Sequence, residues 1–143
     1  AFTVTADPME VGVAKELLQR YQVTRRINLA ALHQAAAAIR ALAPRRVALW
    51  GAGRLFDLLV REGGFDPAML CLLIDSHLKT HMEARHGVRL SGPEALSGDV
   101  DAVIVMSRMF AGEIAAETRQ RAPQAQIKLY ADLLESAKAR QAA

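Results

Sequence analysis

Gly51-Ala52-Gly53 follows the apolar run Val47 to Trp50 and runs straight into Arg54 and a helix-like pattern. A strand that ends on Gly-x-Gly and turns directly into a helix is built to meet an anion. The first glycine permits the tight turn, and the second lets backbone come close to a phosphate. The helix N-terminus adds unpaired N–H donors and a partial positive charge. Asp75 closes the next apolar run, 24 residues after Gly51 (75 − 51). An acid at about that distance is where a ribose hydroxyl is met. Arg54 is placed to reach a phosphate or carboxylate. Ser107 and Arg108 follow a later strand and reach the same sheet edge. The third glycine of the full dinucleotide fingerprint is replaced by Phe56, so the pattern is partial.

Other chemistry is poorly represented. His77 and His81 stand four apart, with His86 beyond them, but Leu78 follows His77, so the HExxH arrangement is missing. An exposed loop is the expectation there, and no metal site. His33 falls in an alanine-rich helix and reads as structural. Asp99 and Asp101 flank a strand start and read as turn residues. No GxSxG elbow, Walker A motif or acid/base pair is legible.

The elements that must carry these residues follow from hydrophobic spacing. Asp7, Pro8 and Glu10 read as the N-cap, first position and capping-box partner of a helix whose face is Val11, Ala14, Leu17, Leu18 and Tyr21. A second helix is expected over 28–42, with Leu29, Leu32, Ala36, Ile39 and Ala43 on one face and Pro44 ending it. From residue 45 strands and helices alternate. RVALW, MLCLLID, GVRLS, DAVIVMS and AQIKLY read as strands. RLFDLLVRE (stopped by Gly63-Gly64), MFAGEIAAETRQRA and ADLLESAKARQ read as helices, and GPEAL as a helical turn. Continuous apolar strands between helices indicate a parallel sheet covered on both faces. The expected fold is therefore α/β, a small doubly wound, Rossmann-like parallel sheet of about five strands. An N-terminal helical arm (1–44) precedes the α/β domain (45–143).

Composition narrows the partners. A chain of 143 residues, 52% of them hydrophobic, can bury a core without staples, and disorder is excluded. A net charge of +3 with scattered arginines and only 5% aromatics argues against nucleic acid. The N-terminus has no leader pattern and no stretch is long enough to span a membrane. With Cys71 as the single cysteine, read as a buried inert thiol, a reduced cytoplasmic setting is expected. The missing initial Met suggests a trimmed chain.

The order VALWGAG, LIDSHLKTHMEARHGVRLSGPEAL, DVDAVIVMSRMFAGEI resembles the C-terminal Rossmann-like domain of sugar C-methyltransferases and related carbohydrate-biosynthesis proteins. The matching positions are Gly51, Gly53, Asp75, Lys79, Gly87, Pro93, Glu94, Leu96, Asp101, Glu113 and Ile114, and the resemblance spans residues 28 to 130. It implies that methyl transfer from S-adenosylmethionine belongs to a separate preceding domain. This chain is then an accessory module, or a stand-alone relative, that encloses a nucleotide-sugar. The strand order is also similar to the nucleotide-sugar-binding N-terminal domain of some sugar acyltransferases.

Three functions follow as expectations. The first is a non-catalytic module binding or enclosing a nucleotide or nucleotide-sugar through Gly51, Gly53, Arg54, Asp75, Ser107 and Arg108. The second is a small NAD(P)-binding oxidoreductase-like domain, with Asp75 favouring NAD. The third is an interaction domain whose N-terminal helices pair across a two-fold axis or against an upstream catalytic domain.

Overall fold

A computed structural model describes residues 8–134 of the chain. Its first element is one helix, α1 (Pro8–Arg40), of 33 residues, where two were expected. No proline or glycine interrupts the sequence between Val13 and Ala43, so nothing breaks the helix at the expected join. The second expected face is buried at Leu32, Ala36 and Ile39, joined by Ala35. Those residues belong to the core of the α/β unit, although they lie before residue 44. The first expected face is exposed at Val11, Leu17, Leu18 and Tyr21. Asp7, the expected N-cap, lies outside the described residues.

The remaining elements are β1 (Val47–Trp50), α2 (Arg54–Arg61), β2 (Leu72–Ile74), α3 (Ser76–Lys79), β3 (Ala84–Arg85), β4 (Val88–Ser91), β5 (Ala102–Val105), α4 (Ala111–Arg121) and β6 (Gln126–Leu129). The chain then continues helically over 130–134, the described part of the last expected helix. The strands form one sheet in the order β3-β4-β2-β1-β5-β6. All neighbours run parallel except β3 and β4.

Among the described residues the sheet has six strands, one more than the five or so expected. The extra one, β3, pairs back on β4 across the two-residue turn His86-Gly87. Both turn residues have positive φ, 50° and 78°, the geometry that matches a two-residue hairpin to strand twist. The expected loop at 76–86 is thus a short helix followed by a hairpin.

Burial explains the layers. Every residue of β1 and β5 is buried, as a parallel sheet covered on both faces requires. Val47 and Leu49 join the core formed with α1, α2 and residues 130–134, through Ile39, Phe56, Leu59, Tyr130 and Leu133. Ala48 and Trp50 point the other way, into a core with Ile114 of α4, Leu96 and Val103. From β1 the chain builds outward through β2 and β4, then returns to the other side of β1 for β5 and β6. The carboxyl ends of β1 and β5 therefore lie side by side where the winding reverses, and ligand crevices form at such points.

Candidate functional site

Three strand ends finish level. Beyond the strands, the Gly51 N–H donates to the Ile74 carbonyl at 2.8 Å. Likewise Asp75 N–H reaches Ser91 O at 3.0 Å and Met106 N–H reaches Trp50 O at 3.0 Å. This brings the turn after β1, Asp75 after β2 and Ser107 after β5 to one edge.

The two glycines of the turn do different work. Gly51 has φ +115°, and a Cβ there would meet the Met106 Cβ at 3.0 Å. The fold itself demands glycine at this position. Gly53 has φ −78° and caps α2 without any side-chain bond. A Cβ on Gly53 would meet nothing within 4 Å. Backbone geometry does not require glycine here, and the space in front of the first turn of α2 is open.

Phe56, at the third glycine position, is fully buried on the inner face of α2. The aromatic that spoils the fingerprint is a core anchor, and burying such a side chain contributes about 1.5–3 kcal/mol.

Asp75 is half-buried, and each of its carboxylate oxygens accepts a backbone N–H. Oδ2 takes Ala52 N–H at 2.9 Å, and Oδ1 takes Leu78 N–H at 2.9 Å. The acid thus fastens the glycine turn to β2 and caps α3. One donor of the turn is already spent, which leaves the amides at the start of α2 for an anion.

Two clefts open at this edge and share Gly51, Asp75 and Ser107. One, of about 380 Å³, is also lined by Trp50, Ser76, Phe110 and Ile114. The other, of about 250 Å³, adds Gly53, Arg54, Leu55 and Met106. The first has an apolar, aromatic wall, and the second faces the start of α2 with a guanidinium beside it. Together they suit a ligand with a flat apolar end and an anionic end.

Of the six expected site residues, Gly51, Gly53, Arg54, Asp75 and Ser107 line these clefts. Ser107 also holds the following loop, accepting the Phe110 N–H on Oγ at 3.2 Å. Arg108 is exposed and lines neither cleft. Its charge is felt at Tyr130, where burial pushes the phenol pKa up and Arg108 works against that. Trp50, Phe110 and Ile114 were not anticipated as site residues. Their sequence signal is ordinary strand and helix apolarity, so only the register of the sheet edge reveals them.

Other residues gather elsewhere. Lys79 and Glu94, both named by the family resemblance, pair at 3.3 Å. The Glu94 pKa is lowered, first by a backbone N–H bond and then by Lys79. Asp57 on α2 bonds His86 at 2.8 Å, with Arg61 at 3.5 Å and Arg85 at 3.8 Å. The His86 hydrogen bond chiefly holds the Asp57 carboxyl below the usual range. This His–Asp pair was not legible in sequence, because 29 residues separate its members. It pins the β3–β4 hairpin to α2 and lines neither cleft. His77 and His81 stack edge to face at 5.2 Å. Among the described residues no group of three metal-ligating side chains forms. Cys71 is partly buried, and burial pushes its thiol pKa up. Among the described residues no helix is long and apolar enough to cross a membrane.

No family model matches the chain, and comparison with curated proteins and with solved structures returns no match.

Proposed function

We propose that this chain is a Rossmann-like module that binds a nucleotide-type ligand, a nucleotide-sugar first of all, in the crevice beside β1 and β5, and itself carries out no chemistry. One observation carries this reading. Five residues from three separate strand ends converge on two joined clefts, with open space in front of Gly53. The phosphates lie against the amides at the start of α2, with Arg54 as counter-charge. The ribose hydroxyls face Asp75, whose oxygens keep lone pairs beyond the two backbone bonds. The base lies along Phe110, whose ring is exposed at the mouth of the cleft, where stacking is worth about 1–3 kcal/mol per base.

The resemblance to the C-terminal domain of sugar C-methyltransferases supports the sugar-nucleotide choice, with methyl transfer assigned to a separate domain. The runner-up is an NAD-binding oxidoreductase-like domain. Phe56 counts against it, since a buried aromatic occupies the place where a third glycine lets helix and strand close on a dinucleotide.

The test is Gly53→Val, read by calorimetric titration with UDP- and dTDP-sugars. A branched side chain fills the approach to α2, so affinity should fall at least tenfold, about 1.4 kcal/mol, while the domain stays folded with only the modest drop in melting expected from replacing an N-cap glycine. Unchanged affinity would remove this reading.

A further inference from the structure

The first half of α1 presents apolar side chains that no part of the described chain covers. Leu17, Leu18 and Tyr21 are 58%, 55% and 61% exposed. With Val11 and Ala14 they form a row at helical spacing. The same row continues into the domain as Leu32, Ala35, Ala36 and Ile39, all buried. One stripe therefore serves two purposes, and its exposed part, Val11 to Tyr21, runs about 15 Å along the arm, 10 residues at 1.5 Å each.

We infer that a second copy of this chain covers that outer half, with the two arms antiparallel across a two-fold axis beside Leu17 and Leu18. Charge selects the occupant and its direction. The first half of the arm holds Glu10, Lys15 and Glu16, and the second half holds Arg20, Arg25 and Arg26, with Glu16 and Arg20 already paired within the helix at 3.3 Å. A parallel pair sets arginine against arginine. An antiparallel pair sets Glu10 of one copy beside Arg25 of the other, within the same stripe, and leaves the like-charged Lys15 and Arg20 at matching levels but outside it. Ala14 then lies opposite Tyr21, small against large, and the leucines meet at the axis. An isologous contact of this kind closes on itself. The helix dipoles also oppose one another favourably. Arg25 shares a groove with Tyr21, Asn28 and Arg54, so the seam runs beside a residue of the ligand crevice. The pairing does not depend on what the crevice binds.

Light scattering and sedimentation of the 143-residue chain test it. The wild type should be a dimer at micromolar concentration. Leu17→Asp with Leu18→Asp should weaken association at least about 100-fold while circular dichroism and melting of the domain hold, because both side chains are exposed in the single chain. Direction is read by cross-linking in a Cys71→Ala background. Glu10→Cys chains mixed with Arg25→Cys chains should form disulfides between unlike chains. Like-with-like disulfides would overturn the antiparallel seam. A monomer at 100-fold higher concentration, or a dimer indifferent to the two aspartates, would overturn the pairing itself.

Discussion

The carboxylate of Asp75 accepts the Ala52 N–H at 2.9 Å, so the acid at the end of β2 ties down the turn at the end of β1. Its second oxygen caps α3 through Leu78 N–H at the same distance. One side chain thus fixes two backbone segments around the crevice, and any ligand role for Asp75 rests on this structural one.

Removing that carboxylate leaves two partly buried N–H groups without their partner. Asp75→Ala should cost about 1–3 kcal/mol, measured by urea denaturation. Asp75→Asn, which keeps one acceptor, should lose less. Equal losses would show that the two bonds do not act separately.

The two glycines should respond in opposite ways. Gly51→Ala forces a side chain into φ +115° and against Met106, and should destabilise by more than about 1 kcal/mol. Gly53→Ala meets open space and should stay within about 0.5 kcal/mol of wild type. Comparable losses at both positions would contradict a turn whose first glycine serves the fold and whose second leaves room for a ligand.

The cluster around Asp57 sets an acid limit. The folded carboxyl titrates below its ordinary range, through His86 first and then Arg61 and Arg85, with desolvation opposing. A lowered folded pKa stabilises above the unfolded value and loses that effect as pH falls through the folded value. Glu94 and Asp99 shift in the same direction. The melting temperature of wild type should exceed that of Asp57→Asn at neutral pH, and the gap should close below about pH 4. A gap constant from pH 7 to 3 would show that the cluster does not couple protonation to folding.

These residues also show how far sequence reaches. The runs VALW and AVIV declared themselves as buried strands because both of their faces are covered, and Asp75 was legible because it ends such a run. The long helix was misread as two. Periodicity reports a face and not a boundary, and the apparent gap at 22–27 puts Val23 and Ile27 off the buried stripe among polar residues that a helix tolerates. The extra strand hid in His86-Gly87. This form of two-residue turn has positive φ at both positions, and histidine advertises this less strongly than asparagine or glycine. Arg108 adjoins Ser107 in sequence, yet it is exposed and lines neither cleft. The Asp57–His86 pair and the Trp50–Phe110 wall depend on contacts between distant segments, which no local pattern encodes.

The proposed sugar-nucleotide site is open to direct test. The most direct measurement is a thermal-shift panel of UDP-sugars, dTDP-sugars, NAD, NADP and S-adenosylmethionine, repeated on Arg54→Ala. A ligand at one hundred times its dissociation constant adds about 2.7 kcal/mol, a rise of several degrees. A sugar nucleotide held in the crevice should give that rise, and Arg54→Ala should reduce it. A rise with NAD alone, or none with any nucleotide, would contradict it.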